Sequence, residues 1–413
     1  MSFRFLLTAL ALCLFINGAH AKDWSKKSDE VDFKRDPKGF WKATAKASKC
    51  YTDPFYIPGK EKKLTTPREF TADTANNLNL IRRLTPTEQC QTFVRRPRVP
   101  KPLVDAKIDS DYHGNTAERF QVYYEFLAVN IAANRDGAQT APQEALIEFL
   151  VSWSEQNALS QNIRFSDMKA YRLDFHVQAL LPPMIVAYSD TAQQMTARQR
   201  LSVGSWLNRL VGQSQKSSFN TQDNKNYLRH YTAMVWGILV GDERLIDQAR
   251  KAYRSALYYM RPDGTFPTEV ARGGMGLHYQ NLAVNMLVTM AAASRSIGED
   301  WINIEVNGRS LHDAVGWLVK ANQDKSLNRQ YARSCPGGSF GTIEEPNLYY
   351  REKPGLIGES ESSWVEPYLK LTEGNNENQN ITSSLNWFYD TPLSLPPYAI
   401  WSKTLGPQTC IWF

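Results

Sequence analysis

Three stretches of the chain repeat apolar residues at spacings of three and four: "PQEALIEFLVSWSEQNAL" (142–159), "TARQRLSVGSWLNRLVGQS" (196–214) and "GRSLHDAVGWLVKANQ" (308–323). That spacing gathers the apolar side chains into one stripe of a helix and predicts amphipathic helices packed on a core. In "LVGDERLIDQA", Gly241 suits the left-handed residue that ends a helix, and Asp242 suits the N-cap of the next. Trp153, Trp206, Tyr259, Trp317 and Trp364 recur at intervals of about 50 residues in similar helical settings, roughly one helix pair each. This stripe is expected to be core, not a ligand platform. Strand-like alternation is sparse before "RSCPGGSFGTIEEPNLYY". The expected fold is therefore all-α: an α/α toroid, an incomplete barrel of helical hairpins, over residues 110–413. Residues 22–109 are rich in Pro and charge with little periodicity, and are expected to form an extended arm on that body. "EGNNENQN" (373–380) reads as a polar loop.

The first 21 residues read as an export signal. Arg4 supplies the positive start, "FLLTALALCLFI" the apolar region, and Ala19-His20-Ala21 a small-x-small cleavage site. No later apolar run reaches the length of a membrane span, so a periplasmic or secreted protein is expected, and a monomer. Export leaves Cys50, Cys90, Cys335 and Cys410 in an oxidising compartment. Of their three pairings, Cys50–Cys90 and Cys335–Cys410 are favoured, each closing a loop-rich segment near a terminus. The formal charge of +6, with basic runs "KEKK" at 60–63 and "RRPRVPK" at 95–101, suits a polyanionic partner. For an exported protein an acidic polysaccharide or an anionic membrane face comes before nucleic acid.

Most of the chemistry lies in "RPDGTFPTEVARGGMGLHYQNLAV", residues 261–284. Asp263-Gly264 signals a turn, Pro267 and the glycines at 273–274 predict irregular chain, and helix resumes near Leu277. Arg272 and Tyr279 lie seven apart, the spacing of one helix face. A guanidinium beside a phenol suits carboxylate recognition next to proton transfer. The residues alone are equally compatible with packing and surface roles.

This segment resembles the "DG-x-x-P-x-E-x-x-R…Y" stretch of the alginate lyases of polysaccharide lyase family 5, the mannuronate lyases. "SDYHGNTAER" (110–119) is similar to the family's lid segment, and "WVEPYLKL" (364–371) to a family W-L-E-P-Y stretch. The resemblance spans Ser110 to Leu371 in one order. It implies an α/α toroid and β-elimination on polyuronates. A cationic, amide-lined pocket neutralises the C6 carboxylate, a base takes the C5 proton, and an acid protonates the O4 leaving group. Tyr279 then stands at the catalytic Tyr, Arg272 at the carboxylate-binding Arg and Tyr112 at the lid Tyr. Arg119, Tyr227, Glu269, Trp364 and Tyr368 complete the expected substrate-binding set.

The family's Asn-Asn-His falls on Asp223-Asn224-Lys225 in a gapless match. Asn224 fits, but Lys225 replaces the His. A gapped match instead places His230 at the catalytic position, with Trp236 in register; the gapless one is preferred. Loss of the His does not remove the chemistry. In β-D-mannuronate and β-D-glucuronate, H5 and O4 lie on one ring face, so elimination is syn and a single group on that face can take the proton and return it. An ionised Tyr279 could do both, helped by Lys225 and Arg272 lowering its pKa. L-guluronate requires anti elimination and disfavours this arrangement. Two rivals stand beside the lyase: a non-catalytic acidic-glycan-binding toroid, and an inverting glycoside hydrolase, for which only Glu269 stands out as a carboxylate. Glu269 also has a plain reading, as a structural partner of Arg272. His113, His176 and His312 show no metal-ligand spacing, and neither a metal nor a cofactor is expected.

Overall fold

In the computed structural model, the described residues are 64–84, 98–104, 115–135, 140–160, 170–216, 223–270, 276–324, 326–328, 363–375, 381 and 408–413. Among them the regular structure is helical: α1 (Ala72–Asn76), α2 (Asn115–Arg135), α3 (Ala141–Glu155), α4 (Ala170–Thr191), α5 (Ala197–Ser214), α6 (Asn224–Val240), α7 (Glu243–Tyr259), α8 (Pro267–Val270), α9 (Gly276–Arg295), α10 (Leu311–Gln323), α11 (Val365–Leu371) and α12 (Gln408–Trp412). A short 3₁₀ turn, Ala192–Gln194, joins α4 to α5.

The helices form two layers. α2, α4, α6 and α9 pack each on the next, and α3, α5, α7 and α10 return along the outside of the helix that precedes each of them. Burial separates the layers. Nearly every residue of α6 and α9 is buried, as befits helices enclosed on all sides. α7 buries Leu245, Ile246, Ala249, Ala252, Tyr253 and Ala256 and exposes Glu243, Arg244, Asp247 and Lys251, the two faces of a covering helix. Connections of 2–5 residues join α2 to α3, α4 to α5 and α6 to α7, as expected of antiparallel pairs. This is the expected α/α toroid. The aromatic repeat marks its outer layer: Trp153, Trp206, Tyr259 and Trp317 lie on α3, α5, α7 and α10 in turn, with Trp364 at the start of α11, and all five are buried.

The end signals hold. Gly241 closes α6 in the left-handed region (φ 68°), and the Asp242 side chain accepts from Arg244 N at the start of α7. The helix expected through Leu159 stops at Glu155, because Asn157 and Leu159 take positive φ and the chain turns, with Ala158 N donating to Trp153 O at 2.9 Å.

The described parts of the N-terminal region run along the body. Ile81 N donates to Ser189 Oγ at 2.8 Å, Leu84 N to Trp412 O at 2.6 Å, and Trp153 Nε1 to Pro100 O at 3.2 Å. Arg135, at the end of α2, ties several elements together. Its guanidinium donates to both oxygens of Asp190 on α4 at 2.8 and 2.7 Å, to Ile81 O at 2.9 Å, and to Ile411 O in α12. α12 touches α2, α9 and α11. The export signal, residues 110–114 of the 110–119 block, Cys50, Cys90, Cys335 and Arg272 fall outside the described residues.

Candidate active site

The first turn of α6 carries the polar residues singled out from the sequence. Asp223, extended and fully buried, caps the helix by accepting from Asn226 N at 3.2 Å. Lys225 Nζ lies 3.4 Å from Asp223 Oδ2, with both side chains buried. Asn224 meets a second carboxylate. Glu269, with no exposed surface, accepts from Asn224 N at 2.6 Å, and its two oxygens lie 3.1 and 3.3 Å from Asn224 Nδ2. Two carboxylates thus take up backbone N–H groups that a helix start leaves without partners.

Glu269 is delivered by the turn that the sequence marks. Gly264 adopts φ 91°, and a Cβ there would stand 2.1 Å from Asp313 O, so only glycine fits. Asp263 Oδ1 accepts from Thr265 N at 3.1 Å and from Thr265 Oγ1 at 2.7 Å. The chain after Pro267, expected to be irregular, instead makes the single helical turn α8. Residues 271–275 lie outside the described set, and helix resumes at Gly276, one residue before the expected Leu277.

The same segment grips α9. Phe266 N donates to Gln280 Oε1 and Gln280 Nε2 donates to Gly264 O, each at 2.9 Å. Phe266 also lies against the buried Tyr227 ring of α6, centroids 6.1 Å apart. Residues 264–270 therefore bracket the starts of α6 and α9 together, and Tyr279, beside Gln280, belongs to this end. Tyr279 is half-buried and meets the His278 ring edge-on at 4.9 Å.

His230 is elsewhere. α6 is continuous from Asn224 to Val240, and six residues on, His230 faces the outer helix α7, where the Gln248 amide nitrogen lies 3.5 Å from Nδ1. Gln248 is itself held by Thr65 N at 2.6 Å and Gln215 Oε1 at 2.7 Å. Burial, and then the charge of Arg229, hold the His230 imidazole well below its usual pKa.

Trp364 and Tyr368, expected against substrate, are both buried and hydrogen-bonded to side chains of the body. Trp364 Nε1 donates to Asn281 Oδ1 on α9 at 2.6 Å, and the Tyr368 hydroxyl is hydrogen-bonded to His312 Nδ1 at 2.7 Å. They brace the back of α9, two residues beyond Tyr279. Tyr227, 1% exposed, likewise supports the bracket and presents no open face. Tyr112 and Arg272 lie outside the described residues, and of Arg119 only its place in α2 is described. Sequence reasoning gave no role to Asp223 or Gln280. An Asp just before a helix is a cap signal; Gln280 carries no such mark.

An all-helical toroid whose inner helices start around a buried Asn–carboxylate pair defines the class. Residues 136–327 match the family model described as alginate lyase, a region that holds Asn224 and the 261–284 stretch but neither the 110–119 nor the 364–371 block. The chain is 28% identical over 218 residues to a polysaccharide lyase of Stenotrophomonas maltophilia, covering 51% of this chain and 63% of that protein. It is 23% identical over 247 residues to an alginate lyase of Pseudomonas syringae, covering 57% and 59%. The chain thus spans about three fifths of the length of these curated relatives. Alginate lyase A1-III from Sphingomonas species A1 superposes with a TM-score of 0.58 at 19% identity over 94% of this chain and 99% of that one. A tyrosine-to-phenylalanine variant of that lyase complexed with tetrasaccharide gives 0.53 at 20% identity, covering 83% and 89%. The resemblance drawn from the sequence therefore holds: the chain is similar to alginate lyases in sequence over its central half, and shares their fold.

Proposed function

We propose that this protein is an exported polysaccharide lyase that cleaves a β-1,4-linked polyuronate, polymannuronate or a glucuronan-like chain, by syn β-elimination. The observation that carries the reading is the bracket of residues 264–270, which joins Asn224 and Lys225 to the start of the helix bearing Tyr279, inside the region that matches the alginate lyase family.

The uronate C6 carboxylate is received by the second N–H of the Asn224 amide nitrogen, the first being given to Glu269, with Lys225 beside it and Arg272 by family resemblance. Neutralising that carboxylate acidifies the C5 proton. The Tyr279 phenolate takes that proton, the C5 electron pair forms the C4=C5 double bond, and the C4–O4 bond breaks. The departing O4 lies on the same ring face and receives the proton back from the Tyr279 hydroxyl. His230 has no part in these steps, since it lies neutral and enclosed against α7; this supports the gapless match. Glu269, occupied by Asn224, is poorly placed for the acid of a hydrolase. Export rests on the leader sequence, and Cys410 being disulfide-bonded supports it.

The test is ultraviolet absorbance of the conjugated C4=C5 product after mixing with purified polymannuronate and polyglucuronate. Growth of that absorbance is expected. Binding without it would leave a glycan-binding toroid, and new reducing ends without it would mean hydrolysis; either overturns the proposal.

A further inference from the structure

We infer that Glu269 is a positioning residue that sets which way the Asn224 amide faces, and so acts on carbohydrate chemistry through that amide. The inference rests on the lyase reading of the site. An Asn side chain has two nearly isosteric flips, one presenting its NH₂ and the other its oxygen to a given neighbour. A carboxylate only accepts hydrogen bonds, so the group facing Glu269 must be the NH₂. Both Glu269 oxygens lie within 3.3 Å of Asn224 Nδ2, and one also accepts from Asn224 N at 2.6 Å. The flipped amide would set an oxygen against two carboxylate oxygens in a site with no exposed surface at Glu269 and 2% at Asn224. One flip is therefore enforced.

The same carboxylate holds the backbone from which that side chain springs. Glu269 occupies α8, and α8 follows directly on the Phe266–Gln280 contact to α9. Asn224 is thus oriented by the element that also fixes the start of Tyr279's helix. Donor direction and phenol position are set from one short segment.

Glu269→Gln tests this without changing volume. Glutamine can accept or donate, so it satisfies either amide flip, and the orientation is released while the packing remains. The expected result is a melting temperature close to wild type with kcat/KM on polymannuronate lowered by about 10–100-fold, below the loss for deleting a well-aimed donor outright. In an Asn224→Ala background the same change should cost less than about twofold, because residues acting through one another are non-additive. Equal losses in both backgrounds, or full activity of Glu269→Gln, overturns the inference. Hydrogen exchange separates this from failure of the lyase reading. Without any substrate, the Asn224 backbone N–H should exchange at least about tenfold faster in Glu269→Ala than in wild type while the rest of α6 stays protected. Unchanged exchange at Asn224 overturns the positioning role whether or not the protein proves to be a lyase.

Discussion

Replacing His230 by alanine separates the two ways of matching this chain to its family. The side chain is 5% exposed and faces α7, and its contact with the Gln248 amide is 3.5 Å long. A hydrogen bond at that limit contributes little, so the loss is mainly packing, about 2–4 kcal/mol for a large-to-small change in a core. With an unfolding entropy of roughly 2.1 cal/mol/K per residue, the melting temperature should fall by roughly 2–5 °C. Protonation adds a pH signature. The folded-state pKa of His230 lies well below 6.5 through burial and Arg229, so below 6.5 the unfolded chain binds a proton that the folded chain refuses. Its neutral burial therefore loses stability as pH falls through 6.5 toward the folded value, by at most about 1.4 kcal/mol per pH unit. Alanine lacks this penalty, so the deficit of His230→Ala should shrink between about pH 7 and pH 5 in thermal or urea unfolding. Activity per folded molecule should stay within about twofold of wild type, against the roughly 10²–10⁴-fold expected for losing an acid–base group. An inactive but well-folded His230→Ala, or a deficit that does not move with pH, refutes this assignment.

Tyr279→Phe should lower elimination by about 10²–10⁴-fold with the fold intact by circular dichroism; retention of more than about a tenth of the activity rejects the phenol as acid and base. Lys225→Ala should lower the rate and move the ascending limb and optimum of kcat/KM to higher pH, since the phenol ionises later without that cation; an unmoved limb removes Lys225 from that role. Polymannuronate or polyglucuronate should be cut and polyguluronate hardly at all, and a preference for polyguluronate contradicts one-face chemistry. Arg135→Ala strands the Asp190 carboxylate in a site where the pair is only 6% and 9% exposed, and should destabilise by about 3–5 kcal/mol in urea unfolding, whereas Arg135→Met with Asp190→Leu should cost much less.

The fold was legible where helices have two faces. α3, α5 and α10 gave clean apolar stripes because one side meets water, and the aromatic interval of about 50 residues followed the outer layer because each hairpin contributes one covering helix. α6 and α9 are buried all round, so periodicity says little about them, and they were marked by their ends instead, Gly241 closing α6 and helix resuming near Leu277. What the sequence could not supply was which side of the wall an aromatic faces. Trp364 and Tyr368 sit in a family-like motif, yet their polar atoms turn toward Asn281 and His312. The Glu269–Asn224 contact spans 45 residues and was equally silent; Glu269 had a visible neighbour in Arg272, and the structure gives it a further partner.

These contacts bear on how a polyanion could be handled at this end of the toroid. Helix starts favour anions, and residues 264–270 hold the starts of α6 and α9 together. At α6, however, the protein's own carboxylates already occupy that advantage: Asp223 takes Asn226 N and Glu269 takes Asn224 N. Lys225 is partly matched as well, 3.4 Å from Asp223. Little of the α6 dipole or of unopposed local charge remains for a uronate, so under the proposed function discrimination must come from directed donors: the remaining N–H of the Asn224 amide, and the Arg272 guanidinium by family resemblance. Directed donors work only when their geometry is fixed before the substrate arrives. A buried carboxylate that admits one amide orientation supplies that, and it turns two acidic residues at an anion site from an apparent liability into the device that orients the site.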